Sequence, residues 1–277
     1  MLYSGKLISA SIVLYKTPEQ QLSKILDSII HSNCIERIIL VDNSPNRLES
    51  NLIREKNVEY IFTGKNVGYG AGHNIAINKI IDVSDFHFVL NPDICFEPMV
   101  IREMINYMRQ ELLIGQLMPR VIYPDGTLQY LCKLIPTPLD LIVRRFSPGV
   151  LASIFRKRLD NFELRFTNYC EVMSVPFLSG CFMLFRTSAL KAVGLFDERY
   201  FMYGEDIDIS RRMHTQFQTI FFPKVTVVHV HAQQSYRSIK ATWIHIYNII
   251  KYFNKWGWFF DAERRFLNAK VLRELKK

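Results

Sequence analysis

Residues 59–93 read EYIFTGKNVGYGAGHNIAINKIIDVSDFHFVLNPD, a strand, a glycine-rich loop, a helix and a second strand in succession. Glu59–Phe62 and Phe86–Leu90 have the composition of strands. Apolar residues at helical spacing predict a helix from about Ala71 to Ile81. Because strands joined through a helix usually pair in parallel, this stretch predicts a βαβ unit of a parallel sheet.

The same alternation continues on both sides of this unit. Leu7–Tyr15 is a continuously apolar strand, as expected where helices cover both faces of a sheet. Thr17 is predicted to cap the following helix, with Pro18 at its first helical position. Arg37–Val41 reads as another strand and 98–111 as a helix. The predicted fold class is α/β, with a doubly wound, mostly parallel, Rossmann-like sheet.

Three of these strands end in polar loops. The second strand runs into 42–44, the third into the glycine-rich loop 64–74, and the fourth into 91–93. Ligands of doubly wound sheets bind at the carboxyl ends of the strands, so a binding crevice is predicted at this edge. The residues placed there include Asp42, Asn43, Asn66, Gly68, Gly70, Asn74, Asn91 and Asp93.

The glycine loop Gly68–Gly72 precedes a predicted helix, which permits close approach of the backbone to a phosphate. A dinucleotide-binding fingerprint would stand after the first strand instead. Here the loop follows the third strand, so binding of a nicotinamide cofactor is disfavoured.

Asp93 and a histidine pair are candidate metal ligands. Asp93 follows a buried strand and a proline, and a single carboxylate with phosphate oxygens commonly holds Mg²⁺ or Mn²⁺. The alternative is an aspartate that caps the next helix. His229 and His231 alternate along a predicted strand and therefore share a face, where either can offer an imidazole to one metal. The alternative is a histidine of the core or of the strand edge.

Glu205, Asp206 and Asp208 crowd the start of a predicted helix over Glu205–Thr215. One interpretation is purely structural, because the helix dipole favours carboxylates in a first turn. The other is catalytic, because a carboxylate within hydrogen-bond reach of an acceptor hydroxyl can act as a general base.

The second half reads less regularly. Residues 133–170 are basic and aromatic and are interpreted as an irregular surface excursion, and Val175–Phe185 as a buried strand. From Tyr236 to the end the chain reads as helix. The residues that share one face of this predicted helix are Ile239, Trp243, Tyr247 and Ile250.

The net charge of +9 is concentrated in two segments. Segment 133–165 carries 7 basic and 3 acidic side chains, and segment 236–277 carries 10 and 3, whereas 1–132 carries 12 and 14. A nucleic acid bound across the molecule would require a broader spread, so none is expected. An anionic membrane surface bound through 236–277 fits the pattern, and a helix packed on the domain with a solvated basic face is the alternative.

Five cysteines at wide spacing form neither a zinc motif nor a disulfide framework. The longest nearly uncharged apolar run, Val175–Phe185, is shorter than the ~20 residues of a membrane-spanning helix. We therefore expect a cytoplasmic protein with reduced cysteines. We expect it to associate peripherally with the inner face of the cell membrane.

Seven motifs occur in a recognisable order: Ile12–Tyr15, Val41–Ser44, Asn66–Gly70, Asn91–Asp93, Ser179–Met183, Phe196–Asp208 and Val228–His229. Together they resemble the family 2 inverting glycosyltransferases with a GT-A fold. Within that family the closest resemblance is to the rhamnosyltransferases of bacterial O-antigen and cell-wall assembly. The resemblance covers about residues 6–235.

The resemblance implies a role for each matching position. Tyr15 and Asp42 would hold the nucleotide base. Asp93 ends the D-x-D motif, whose first position is Asn91 here, and would bind a divalent metal, Mg or Mn, that bridges the diphosphate. His229 would be a second contact to this metal, with His231 as its substitute. Further positions implied in donor binding are Asn43, Asn66, Gly68, Gly70, Asn74, Asn91 and Gly180.

The resemblance also implies a reaction. Asp206, with Glu205 beside it, matches the acidic motif that supplies the base, so the expected activity is transfer of L-rhamnose from dTDP-rhamnose to a lipid-linked or polysaccharide acceptor. A UDP-hexose transferase and a non-catalytic sugar-nucleotide or glycan-binding protein remain as alternatives. The expected organisation is a catalytic domain over 1–235, with a donor half (1–110) and an acceptor half (111–235), and a basic helical segment over 236–277.

Overall fold

The computed structural model describes residues 7–146, 150–230 and 239–276. Its strands are β1 (Leu7–Leu14), β2 (Arg37–Asp42), β3 (Val58–Phe62), β4 (Ser84–Leu90), β5 (Ile94–Cys95), β6 (Ile114–Ile122), β7 (Cys132–Lys133), β8 (Met173–Ser174), β9 (Phe177–Leu178), β10 (Phe182–Arg186) and β11 (Gln218–His229). Its α-helices are α1 (Glu19–His31), α2 (Tyr69–Ile80), α3 (Met99–Gln110), α4 (Pro138–Phe146), α5 (Val150–Phe162), α6 (Thr187–Val193), α7 (Glu205–Gln216), α8 (Ile239–Trp256) and α9 (Ala262–Leu275). Short 3₁₀ helices occupy Asn51–Arg54 and Arg165–Thr167.

A mostly parallel sheet forms the centre of the molecule. The order of its strands is β3-β2-β1-β4-β10-β6-β11-β5, and β8 pairs with β11. The strands β3, β2, β1 and β4 are parallel, and so are β6 and β11, while β10 runs antiparallel between β4 and β6. The prediction of a mostly parallel α/β sheet is confirmed.

Alternate residues of the strands face two different layers of helices, because successive side chains point to opposite faces of a sheet. Ile38 and Leu40 of β2 join the core that contains α1 and α3, whereas Ile39 and Val41 join the core that contains α2, α6 and α7. The apolar runs of the strands are therefore buried on both sides, as the doubly wound fold requires.

The first helix begins one residue later than predicted. Pro18 is its N-cap and Glu19 its first residue, and no side chain caps it. The hydroxyl of Thr17 accepts a hydrogen bond from the Tyr15 amide (3.2 Å) instead, so the predicted Thr17 cap is wrong. The carbonyl of Pro18 accepts from the amides of Gln21 and Leu22.

The segment 133–170 is not the irregular excursion predicted from its composition. It holds α4 and α5, and Phe162, Leu164 and Tyr169 are buried in a core shared with β6, β11 and α9. The hydroxyl of Tyr169 donates to the carbonyls of Cys132 (2.8 Å) and Glu163 (2.7 Å). Apolar contacts that reach across the sequence order this segment, and local composition does not reveal them.

Two further predicted elements are interrupted. Val175–Phe185 divides into β9 and β10, with Gly180 in the connection. The predicted C-terminal helix divides into α8 and α9, because Gly257 adopts a φ of +96° and Asp261 then caps the second helix by accepting from the Arg264 amide. Within the described part of the chain, no helix is long and apolar enough to cross a bilayer. All five cysteines are free thiols.

Candidate active site

The glycine loop is fastened at the carboxyl end of β2. The Asn43 side-chain amide donates to the carbonyl of Gly68 (3.0 Å), and Asn66 Oδ1 accepts from the amide of Gly68 (3.0 Å). Gly68 has a φ of +96°, and a Cβ there would lie 2.5 Å from the carbonyl oxygen of Phe201. Only glycine fits this position. Asn43 and Asn66 thus stabilise the conformation of the loop by hydrogen bonds to the backbone of Gly68.

The ends of β1 and β2 lie beside this loop. Tyr15 is half exposed, which leaves its ring available for stacking. Asp42 is buried, and its two carboxylate oxygens accept hydrogen bonds from the Tyr60 hydroxyl (2.5 Å) and the Ser44 amide (2.9 Å). Asp42 is therefore held rigidly at the edge of the sheet, with the phenol of Tyr60 at the same place.

Asn74 lies on α2 and faces a different segment of the chain. Its side chain donates to the Phe196 carbonyl (2.8 Å) and to Glu198 Oε1 (2.9 Å), and it accepts from the Phe196 amide (3.1 Å). Gly70, one turn earlier, packs so closely that a Cβ would lie 3.0 Å from Phe196 Cβ. These two residues attach α2 to the segment that leads into α7.

Asp93 and His229 meet at the edge of the sheet although 136 positions separate them. The antiparallel pairing of β5 with β11 places His229 opposite Ile94, and Asp93 Oδ1 lies 3.3 Å from His229 Nε2. His229 Nδ1 faces Gln129 Oε1 at 3.0 Å, which assigns the proton to Nδ1 and turns Nε2 toward Asp93. Sequence reasoning missed Gln129, for which no local signal exists.

The surroundings of His229 favour a positive charge. Burial lowers the pKa of this imidazole, but Cys181 and Asp93 raise it to about 10. A carboxylate and an oriented imidazole nitrogen therefore offer one place that suits a proton or a divalent cation. No group of three or more His, Cys, Asp or Glu side chains suited to a metal occurs within 7–146, 150–230 and 239–276. His231 lies outside the described residues.

A cavity of about 320 Å³ borders Asp93. Pro92 and Asp93 line one side of the cavity, and Gln20, Gln21 and Lys24 line the other. The carboxylate of Asp93 is thus accessible from the space between the sheet edge and α1.

The first turn of α7 carries Glu205 and Asp206. Glu205 is buried and accepts from the Gly204 amide (2.8 Å), and burial together with the charge of Asp206 raises its pKa to about 7. Asp206 accepts from the Gly180 amide (3.2 Å) and from the Ile207 amide (2.9 Å). Burial raises the pKa of Asp206, and the Gly180 hydrogen bond opposes this rise.

Tyr69 connects the two parts of the site. Its hydroxyl donates to the Gly180 carbonyl (2.5 Å), and the Gly180 amide in turn donates to Asp206. Burial, followed by charges that include Asp206 and Asp93, raises the pKa of Tyr69. Both carboxylates therefore lie within electrostatic reach of one phenol. The role of Tyr69 was not predicted, although its place inside the glycine loop was a signal.

The C-terminal helices pack against the second turn of α7. Arg211 is buried and binds Asp261 (2.7 Å) and Glu263 (2.7 Å), while its guanidinium lies over the ring of Trp256 (4.0 Å). Asp208 accepts from Trp256 Nε1 (2.7 Å). The segment after residue 238 thereby supports the helix that presents Asp206.

Comparison with known proteins identifies the family. The family model described as "Glycosyltransferase like family 2" matches residues 7–244. The chain belongs to glycosyltransferase family 2. This confirms the expectation drawn from the sequence motifs and assigns the chain to the transferases.

Two curated relatives of this family 2 glycosyltransferase are named for rhamnose. It is 28% identical over 246 residues to the N-acetylglucosaminyl-diphospho-decaprenol L-rhamnosyltransferase of Mycobacterium tuberculosis, covering 80% of this chain and 75% of that protein. It is 24% identical over 253 residues to rhamnosyltransferase WbbL of Escherichia coli K12, covering 87% and 90%. A solved structure, that of GalNAc-T7 with UDP, GalNAc and Mn²⁺, superposes with a TM-score of 0.64 at 14% identity. The match covers 99% of this chain and 52% of that one, and it concerns the fold alone.

Proposed function

We propose that this family 2 glycosyltransferase moves L-rhamnose from dTDP-rhamnose onto a lipid-linked or polysaccharide acceptor, with inversion at the anomeric carbon. The observation that carries the proposal is the placement of Asp206 beside Gly180 and Tyr69. The Asn91 amide donates to the carbonyl of Cys181 (2.9 Å) and so brings the loop that holds Asp93 to the residue after Gly180. A candidate base thus lies close to a candidate diphosphate site. The names of the two rhamnosyltransferase relatives support the choice of sugar.

In this proposal the donor occupies the edge formed by β1, β2 and the glycine loop. The exposed ring of Tyr15 stacks on the nucleotide base, and the rigid carboxylate of Asp42 fixes its polar edge. The side chains of three asparagines, Asn43, Asn66 and Asn74, hydrogen-bond to the protein's own backbone. They therefore stabilise the conformation of the donor site. Further donor contacts are assigned to Gly68, Gly70, Asn91 and Gly180.

Asp93 and His229 would hold a divalent metal ion, Mg²⁺ or Mn²⁺. Three observations support this proposal. The two side chains lie 3.3 Å apart, Gln129 orients the imidazole of His229, and the surroundings favour a positive charge. When bound, the ion would supply Lewis-acid neutralisation of the diphosphate. His231 is proposed as a substitute ligand on the basis of the sequence alone.

Asp206 carries out the proton transfer in this mechanism. Its carboxylate takes the proton of the acceptor hydroxyl, and the oxygen attacks the anomeric carbon on the face opposite the nucleoside diphosphate. The bond from the sugar to the diphosphate breaks as the new glycosidic bond forms, so one displacement inverts the configuration. Glu205 stays behind Asp206 and holds the backbone at the start of α7.

A panel of nucleotide sugars tests the choice of donor. We expect turnover of dTDP-rhamnose, measured as released dTDP, in the presence of acceptor and Mg²⁺ or Mn²⁺. Turnover of UDP-glucose or UDP-galactose with dTDP-rhamnose inert would replace the rhamnosyl proposal by the hexosyl alternative. Binding of nucleotide sugars without any turnover would leave a non-catalytic binding protein.

We further propose that residues 1–235 form the catalytic unit, with its donor half over 1–110 and its acceptor half over 111–235, at the inner face of the cell membrane. The 236–277 segment would contact an anionic lipid surface. The argument is that large apolar side chains are exposed on α8 and on the loop after it, in a segment that carries ten basic residues in all. Its members are Ile239, Trp243, Tyr247, Phe259 and Phe260.

Vesicle sedimentation tests this contact. Replacing Trp243 and Tyr247 by serine should reduce binding to phosphatidylglycerol vesicles, with little binding of either protein to phosphatidylcholine vesicles. Serine at Leu112 and Leu113, which are equally exposed but lie between α3 and β6, is the matched control. Equal binding of the two double variants would refute the assignment of the membrane face.

A further inference from the structure

We propose that Lys133 is a positioning residue whose buried ammonium group keeps Asp206 ionised and ready to accept a proton. The inference rests on the proposed function, because it takes Asp206 as the base. Lys133 belongs to the basic segment 133–165, which the mechanism above does not use.

Lys133 is an unusual lysine because it is almost completely buried. It is only 4% exposed and lies on β7, where it pairs with Phe177 of β9. Its ammonium nitrogen lies 5.1 Å from the centre of the Phe177 ring. Buried lysines are rare unless they are paired, yet no carboxylate of the described residues lies within ion-pair distance of Lys133.

The strand pair that holds Lys133 is attached to the start of α7. Ser210 of α7 accepts a hydrogen bond from the Leu178 amide (3.4 Å) and donates to the Leu178 carbonyl (3.2 Å). Two residues after Leu178, the Gly180 amide donates to Asp206 (3.2 Å). The position of Lys133 relative to Asp206 is therefore set by backbone contacts.

Two carboxylates interact with Lys133, those of Glu163 and Asp206. Within the described residues, one of them is already neutralised by other cations and the other is not. Glu163, which follows α5, is already bound by Arg144 of α4 (2.9 Å) and by Arg165 (2.6 Å). Asp206 of α7 has no ion pair among the residues whose positions are described, and it accepts backbone amides only. The charge of Lys133 acts on both carboxylates, and of the two only Asp206 lacks an ion pair of its own among the described residues.

The pKa values of Lys133 and Asp206 reflect their mutual attraction. Burial lowers the pKa of Lys133 to about 8, with a further lowering by Arg144, while Glu163, Asp206 and the thiol of Cys132 raise it. Lys133 thus remains charged at neutral pH. Burial raises the pKa of Asp206, and among the charged groups that act on it Lys133 lowers it.

The neighbours of Asp206 oppose this effect. Glu205 precedes it in the same turn, and Tyr69 of α2 lies across Gly180. A negative Glu205 disfavours a second negative charge at Asp206, and Tyr69 offers no positive charge. Without the charge of Lys133, a larger fraction of Asp206 would be protonated near neutral pH and unable to accept the acceptor's proton.

Carbon-13 NMR of protein labelled at the aspartate carboxyl carbon measures this coupling directly. The Asp206 signal is identified by its absence from Asp206→Asn, and its titration is followed in metal-free buffer with no substrate. Lys133→Met should raise the pKa of Asp206 by about one unit, since removal of a nearby opposite charge favours the neutral acid. Lys133→Arg, which keeps the charge, should leave it near the wild-type value.

Lys191→Met is the control, because Lys191 of α6 is an exposed lysine whose ion pair is with the exposed Asp82 (2.7 Å). Lys133→Gln is a second neutral variant for the case in which methionine is poorly packed, and circular dichroism checks that each variant is folded. An unchanged Asp206 titration in folded Lys133→Met and Lys133→Gln overturns the proposal.

The pH profile of kcat/KM separates this proposal from the proposed function. For Lys133→Met we expect the acid limb to move to higher pH by the same amount as the NMR titration, with kcat recovered at alkaline pH. A uniform loss at every pH is the result of a merely structural role and would contradict the proposal. The titration needs no turnover, so a protein that transfers no sugar still tests the coupling of Lys133 to Asp206.

Discussion

The charged side chains at the start of α7 are held in two different ways. In the first turn, Asp206 is held by backbone amides and has no ion pair within the described parts of the chain. Asp208 of the same turn binds Arg212 (2.8 Å) and Lys255 (2.6 Å), and Arg211 of the second turn binds Asp261 (2.7 Å). One short helix therefore presents a carboxylate without an ion pair among the described residues next to charges that ion pairs neutralise.

This difference distinguishes the proposed catalytic carboxylate, Asp206, from the charged residues that stabilise its helix. A half-buried carboxylate fixed by neutral donors stays accessible and has a raised pKa, which are the properties of a general base. Buried ion pairs are useful only when both partners are present, so they attach one element firmly to another. In this protein they attach the C-terminal helices to the helix that carries Asp206.

The largest expected effect is on catalysis at the first turn. Asp206→Asn should lower kcat by about 10²–10⁴-fold, because the amide cannot accept the acceptor's proton. Its melting temperature should fall only slightly, since the Gly180 and Ile207 amides donate to different oxygens of Asp206 and the asparagine keeps one carbonyl oxygen as an acceptor. Initial rates of dTDP release and thermal melts measure the two quantities. A wild-type rate in this variant would remove Asp206 as the base.

The second turn should respond in stability instead. Arg211→Leu leaves Asp261 buried with only the more distant Arg264 (3.9 Å) as a cation and should reduce the free energy of unfolding by about 3–5 kcal/mol. Chemical denaturation measures this loss. Arg265→Leu is the control, because Arg265 is exposed and donates only to the Phe259 carbonyl, and it should cost less than about 0.5 kcal/mol. Similar losses in the two variants would contradict the supporting role of Arg211.

A smaller effect concerns the pH dependence of stability. The pKa of Glu205 is about 7 in the folded protein and 4.5 in an unperturbed chain, so the folded state holds this proton more tightly. Stability should therefore fall as pH rises from about 4.5 to 7, by about 2 kcal/mol. Glu205→Gln carries no titrating proton here and should flatten this slope. Denaturation of both proteins at pH 5 and pH 8 provides the comparison, and equal slopes would argue against the raised pKa.

The accuracy of the sequence-based predictions differs between the two halves. Strands and helices up to residue 111 were predicted with small boundary errors, because each apolar run is buried on both faces of the sheet by neighbouring helices. The segment 133–170 was misjudged because its core partners include Phe221 and Val271, which lie far along the chain.

Helix capping illustrates the same limit. Thr17-Pro18-Glu19-Gln20 has the letters of a capping box, yet Thr17 caps nothing. Thr137-Pro138-Leu139-Asp140 does form the reciprocal pair, in which Asp140 accepts from the Thr137 amide (2.8 Å) and donates its own amide to the Thr137 hydroxyl (3.2 Å). The motif permits the cap in both places, and the path of the preceding chain decides whether it forms.

The sequence by itself determined the fold class, the family and the candidate residues, because periodicity and short motifs are local properties of the chain. The tertiary structure alone decided which of these residues meet. Asp93 and His229 approach one another only through the pairing of β5 with β11, and the charge of Lys133 reaches Asp206 only because β9 is bound to α7. Electrostatic energy depends on the distance between charges and on their burial, and neither quantity can be calculated from the amino-acid sequence without the fold.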